Sequence, residues 1–225
     1  MKRSVINKYM REAETFMAEQ NFHLPRWAYW SPEDWAGVGH EADEVRERML
    51  GWDLTDFGSG DFESKGLLLF TLRNGDNENP DGKTYAEKVM IVREGQVTPL
   101  HFHWSKMEDI INRGGGNLVV RLYSADEDEV LTDGPVRVSL DGIRRTVPAG
   151  TEVVLQPGDS VTLEPYMYHD FWAEPGKGLV LVGEVSKVND DRTDNRFREE
   201  TGRFPEIEED EAPLHLLCTE YPPAP

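Results

Sequence analysis

Six histidines occur in 225 residues, and His101 and His103 stand one residue apart in Pro99-Leu100-His101-Phe102-His103-Trp104. Alternate residues of a strand face the same side, so both imidazoles reach one point if this segment is extended. Glu108 follows five residues after His103, far enough for the chain to turn a corner and return. His169 lies in a second strand-like run, Pro165-Tyr166-Met167-Tyr168-His169-Asp170-Phe171-Trp172. Three neutral imidazoles and one carboxylate suit a borderline divalent metal, and on a six-coordinate ion they leave two adjacent positions for water or substrate. Such an ion polarises a carbonyl and acidifies the proton on the neighbouring carbon; iron or copper could equally activate dioxygen. His23, His40 and His215 have no partner at ligand spacing and read as structural. Phe102, Trp104 and Trp172 flank ligand positions on strands, point the other way, and read as barrel packing.

These groups need strands held side by side. From Gly66 onward, short runs of β-branched and apolar residues alternate with turn chemistry, which predicts a mainly β domain. Candidate strands are 67–72, 86–93, 97–104, 109–112, 118–123, 136–140, 143–147, 152–155, 160–163, 168–172 and 179–186. Their number and spacing favour a closed barrel or jelly roll. Asp141-Gly142 supplies the positive φ angles of a type I′ hairpin between Val136–Leu140 and Ile143–Val147. Ahead of this core, Ser4 to Gln20 carries apolar residues on a 3.6-residue period behind a Ser suited to capping. Ser31-Pro32-Glu33-Asp34 is a second helix start, crowded by Trp27, Tyr29, Trp30 and Trp35, rings that cover a core or a subunit contact or else wall a ligand pocket. The chain thus reads as a single domain over 1–225: a helical, aromatic arm over 1–60, a β-barrel core over 66–187, and an acidic loop and tail over 188–225 in which Glu206 to Glu211 is solvated.

A formal charge of -19 repels phosphate backbones and anionic lipid, so no nucleic acid or membrane partner is expected, and the charge favours neutral or cationic ligands. No uninterrupted apolar stretch exceeds five residues, far short of a membrane-spanning helix. Asn7, Lys8, Arg11 and Glu12 stand where a signal peptide would be apolar, and Cys218 is the single cysteine; both point to the cytoplasm.

Gly95, His101, His103, Glu108 and Gly115 reproduce the spacing of the first cupin motif, and Gly158 stands eleven positions before His169 as in the second. In that second motif Pro165 comes one place late, Met167 replaces a usual glycine and Ala173 a usual asparagine. The resemblance implies a cupin double-stranded β-helix with His101, His103, Glu108 and His169 as metal ligands. Three further stretches resemble the D-lyxose ketol-isomerase family of cupins: Phe22 to Trp35, Thr98 to Asp109, and Val188 to Phe197. What this implies is a metal-dependent isomerase interconverting D-lyxose and D-xylulose, with D-mannose and D-fructose as slower substrates. Manganese is the usual ion, with cobalt, iron, nickel or zinc as alternatives, and a homodimer the usual assembly.

Aldose–ketose isomerisation moves a proton from carbon 2 to carbon 1 and stabilises an enediolate between. Lys106, between two ligand positions, is either a proton donor to a sugar oxygen or a solvent-facing loop lysine. Lys88 interrupts the apolar run Ala86 to Val92, where an inward charge needs a partner or a ligand. Glu184, ending the run Leu179 to Gly183, is the candidate general base if strand alternation turns it inward. Asp191, Asp194 and Arg196 lie in a loop that could lid the pocket and bind sugar hydroxyls. The same ligands would also serve an iron or copper dioxygenase, or a cupin that binds sugar without turnover.

Overall fold

The computed structural model describes residues 1–79, 81–190 and 193–225. Among the described residues, fourteen strands form two facing sheets. The larger contains β1 (Gly51–Thr55), β2 (Leu67–Arg73), β3 (Tyr85–Val92), β13 (Val180–Lys187), β5 (Glu108–Gly115), β11 (Ser160–Leu163), β8 (Val136–Leu140) and β9 (Ile143–Val147), in that spatial order. The smaller runs β10 (Thr151–Leu155), β6 (Leu118–Ala125), β12 (Met167–Ala173), β4 (Thr98–Phe102) and β14 (Arg196–Phe197), with β7 (Leu131–Thr132) paired to β6. Every named pairing is antiparallel, as expected of a curled jelly roll. The β8–β9 hairpin has the expected limits, and Asp141 and Gly142 take φ of 51° and 78°.

The end of the larger sheet made by β1, β2, β3 and β13 is covered on both faces, which is why β2 and β3 read as nearly continuous apolar runs. Leu67, Leu69, Met90, Val92, Val180 and Val182 point between the sheets, against Val120, Leu122 and Phe171. The alternating residues Leu68, Phe70, Val89, Ile91 and Leu181 point outward and are buried under α1 (Arg3–Glu19) through Ile6, Met10, Ala13 and Met17. The second start signal forms α2 (Pro32–Trp35), closed by the reciprocal Ser31–Asp34 capping bonds. A further short helix, α3 (Asp43–Glu47), leads into β1. Trp35 packs on Tyr221 and Trp27 on Phe70, with centroids 4.3 and 5.0 Å apart. The aromatic cluster therefore fixes the arm to its own barrel.

Two expectations change. The arm ends earlier than residue 60, because Gly51–Thr55 is a strand that pairs with β2. Gly51 itself has φ 108°, and a Cβ there would collide with the Tyr221 hydroxyl. Ser4 is not the cap of α1: the helix begins at Arg3 and its free amides are met from the other end of the chain. Arg3 N–H donates to the Glu208 carbonyl and Ser4 N–H to the Asp210 carboxylate, each at 2.9 Å. Asp210 also accepts from the Ser4 hydroxyl, and these bonds hold its carboxyl below the usual range. Residues 206–211 are accordingly pinned to the start of α1, although all of them except Ile207 stay exposed to solvent as expected. The 1%-exposed guanidinium of Arg3 pairs with Glu209 and Glu220, and the Asn7 amide donates to Glu211 at 2.6 Å. Three acids that look free in the sequence thus each hold a side chain of α1: Glu209 holds Arg3, Asp210 holds Ser4 and Glu211 holds Asn7.

Candidate metal and active site

His101 on β4 and His169 on β12 are register partners, so their rings lie side by side, with centroids 4.2 Å apart. His103 follows the end of β4, and Glu108 opens β5 across the corner. All four are at least nine-tenths buried. Each imidazole donates its Nδ1 hydrogen to a backbone carbonyl: His101 to Pro99 at 2.8 Å, His103 to Asp194 at 2.7 Å, and His169 to Met167 at 3.0 Å. A carbonyl only accepts, so this fixes the tautomer and leaves a lone pair on every Nε2. Ligand nitrogens of the three rings lie within 4.8 Å of one another. Glu108 Oε1 is 3.3 Å from Nε2 of both His103 and His169.

The Nε2 atoms of His103 and His169 are buried without a hydrogen-bond partner. Buried nitrogens of this kind are stable where something outside the chain completes them. Burial, then the neighbouring His169 and His103, push the His101 pKa well below its ordinary value. Burial alone would raise Glu108, but Lys106 and His103 outweigh it and hold the carboxyl well below the usual range. Nε2 lone pairs beside a carboxylate held in its ionised form are donors that suit a divalent cation, so the residues fit the ion that the spacing implied.

Beside the histidines runs a chain of buried charges. Lys106, 3% exposed, places Nζ 2.6 Å from Glu108 Oε2, 3.1 Å from Glu184 Oε1 and 3.2 Å from Asn189 Oδ1. Lys88 Nζ lies 3.7 Å from Glu184 Oε1, which also accepts from the Ser186 hydroxyl at 3.0 Å. Alternation settles two orientations: Lys88 shares the inner face with Met90 and Val92, and Glu184 with Val180 and Val182. Lys106 is therefore not a solvent-facing loop residue. Its own amide and that of Ser105 donate to the Asp194 carboxylate at 2.8 and 2.9 Å, while the Asp194 carbonyl holds His103.

The loop residues expected to bind sugar are placed differently. Asp194 is engaged in bracing the corner that carries His103 and Lys106. Arg196 points out of the barrel, with Nε 3.2 Å from the Glu129 carboxylate, because β14 alternates and turns Phe197 inward to stack on His101 at 5.2 Å. Asp191 lies outside the described residues. His40 pairs with Asp43, His215 bridges the Trp30 carbonyl and Glu14, and His23 is exposed. None of these three joins the site.

The cavity beside the ligands has Leu67, Leu69, Met90, Ile110 and Phe171 on its apolar side. Thr98 and Arg203 also line it, and neither stands out in the sequence. Arg203, 2.6 Å from Asp53, comes from the tail and carries no motif. Thr98 lies three residues from His101, a spacing that puts two side chains on opposite faces of a regular strand. The register against β12 shifts by one residue between them, so a bulge at Pro99–Leu100 turns both inward. The proline, which cannot donate to the ladder, was the one available signal.

A profile of the D-lyxose isomerase family matches residues 1–221. The D-lyxose/D-mannose isomerases of Serratia proteamaculans and Escherichia coli O157:H7 are 52% and 50% identical over 223 residues, covering 98% of this chain and of each relative. In fold, the chain is similar to the Acinetobacter sp. DL28 L-ribose isomerase solved with L-ribose, at a TM-score of 0.60 and 17% identity over 89% of this chain and 93% of that one. With half of its residues shared along nearly its full length, this mainly β chain belongs to the D-lyxose isomerase family.

Proposed function

We propose that the protein is a metal-dependent aldose–ketose isomerase that interconverts D-lyxose and D-xylulose, with D-mannose and D-fructose as slower substrates. The observation that carries this reading is the junction of two devices: imidazoles with free Nε2 lone pairs, and a proton-transfer chain touching the same carboxylate, Glu108. Kinship with D-lyxose/D-mannose isomerases supports the substrate class. A divalent ion held by His101, His103, Glu108 and His169 supplies Lewis-acid polarisation of the sugar carbonyl and its neighbouring hydroxyl.

The protein's own groups do the rest. Glu184 takes the proton from carbon 2 and returns it to carbon 1 through a cis-enediol. Lys106, between Glu108 and Glu184, donates a proton to the carbon-1 oxygen as negative charge grows there and recovers one from the carbon-2 hydroxyl as the ketose carbonyl forms, and Lys88 lies beside Glu184. Asp194 acts through others by fixing His103 and Lys106. Leu67, Leu69, Ile110 and Phe171 exclude water from the reacting carbons. Paired buried lysines and glutamates serve proton movement, and favour this reading over oxygen chemistry in an apolar pocket. The resemblance further supports manganese, a homodimer and a cytoplasmic setting.

The direct test strips the metal, reloads manganese and supplies D-lyxose. Ketose that appears only after reloading is the expected result. An enzyme with one ion per chain that forms no ketose from D-lyxose or D-mannose would overturn the proposal, and oxygen uptake would put a dioxygenase in its place.

A further inference from the structure

We propose that the Thr98 hydroxyl is the hydrogen-bond partner of the terminal hydroxyl of the open-chain sugar, and so selects the chain end that the pocket accepts. The proposal rests on the isomerase reading above. Thr98 is 4% exposed, and its Oγ1 is buried with no hydrogen-bond partner although it lines the cavity shared with His101, His103, Lys106 and Glu108. A buried hydroxyl left unpaired destabilises the free protein, so its natural partner is something that enters the cavity.

Its depth identifies which part of the sugar it meets. Thr98 lies opposite Phe171 and His101 opposite His169. Those partners are two residues apart along β12, so Thr98 sits about 7 Å further along the barrel than the histidine tier. A linear pentose whose first two oxygens lie at that tier places its last oxygen on the order of 6–7 Å away, from ordinary C–C and C–O bond lengths. At this depth the smaller sheet lines the cavity with Phe171 and Thr98, one apolar and one able both to donate and to accept. Across the cavity, Lys88 and Glu184 already engage one another. Thr98 is thus the group on the smaller sheet suited to a neutral hydroxyl.

The test uses the full-length, manganese-loaded protein as wild type, Thr98→Val and Thr98→Ser, each with D-lyxose and with 5-deoxy-D-lyxose. Valine keeps the shape and removes the hydroxyl; serine keeps the hydroxyl. For D-lyxose, the valine variant is expected to raise KM about tenfold with kcat within about twofold, and serine to restore KM. For the deoxy sugar, which has no terminal hydroxyl to lose, valine should change neither constant by more than about twofold. Without sugar, the valine variant should melt no lower than wild type. Equal losses with both sugars, an unchanged KM for D-lyxose, or a lower sugar-free melting temperature would each overturn the proposal. A metal-loaded wild type inert toward both sugars would instead overturn the isomerase reading, and this proposal with it.

Discussion

The two faces of the larger sheet are built from the same strands to opposite ends. On β3 the inner side carries Lys88 and the next residue outward is Val89; on β13 Glu184 is inward while Leu181 faces α1. With His101 and His169 facing it from the smaller sheet and His103 and Lys106 from the corner after β4, the inner tier holds two lysines, two glutamates and three histidines almost out of solvent. Such a tier stabilises little, because charges lose hydration there about as fast as they gain each other. The outer face has the apolar seam under α1, sealed by the C-terminal tail. The comparison teaches that the outer face supplies the stability that lets the inner face keep reactive groups.

Separate failures on the two faces are the sharpest way to break that comparison. The largest expected effect is Glu184→Gln on the inner face: kcat falls by about 10²–10⁴, the range for a general acid–base residue, while bound metal stays at the wild-type level because Glu184 is not among the ion's residues. Steady-state kinetics with metal analysis checks it, and lost metal would show that the two devices are one. Next is Phe70→Ala under α1, which should cost about 3–5 kcal/mol of stability in urea unfolding and leave kcat of the folded enzyme within about twofold.

The clamp at the tail gives a smaller effect. Arg3→Met should lower stability by about 1–2 kcal/mol, since Glu209 is largely exposed and screened, and should speed amide exchange across residues 206–212. Failure of that segment to respond would show that Arg3 does not pin it.

The smallest effect is a difference of sign between two histidines. The His101 pKa is depressed, so its contribution is present above the unfolded value of about 6.5 and is lost as pH falls below it. Burial lowers the His215 pKa, but Glu14 and the Trp30 carbonyl outweigh it and raise it on balance. Its contribution is full below about 6.5 and is lost as pH rises through the raised value. Urea unfolding of metal-free protein should therefore show wild type exceeding His215→Asn by more at pH 5.5 than at pH 8.5, by up to about 1 kcal/mol. The corresponding gap for His101→Asn should run the other way.

What was legible in the sequence follows the range of the physics. The hairpin at Asp141-Gly142 is set by two residues' backbone preferences, and it appears where expected. The gathering of His101, His103, Glu108 and His169 was legible because the two histidines stand one residue apart and the motif spacing carries Glu108 and His169 with them. β1 is not legible because Asp53 and Thr55 interrupt its apolar pattern and their partner, Arg203, carries no motif in the tail. Glu209, Asp210 and Glu211 look free in the sequence because their partners Arg3, Ser4 and Asn7 are more than two hundred residues away. Arg196 and Phe197 show the limit of alternation: on a two-residue strand nothing local says which one faces in.

The central claim, that the inner tier moves a proton between adjacent sugar carbons, is tested most directly with D-lyxose carrying deuterium at carbon 2. The account predicts that deuterium washes into solvent during turnover by the manganese-loaded wild type, and that Glu184→Gln abolishes the wash-out together with ketose formation. Ketose that retains all of the deuterium at carbon 1 would contradict it and require a hydride shift, with Glu184 no longer the base.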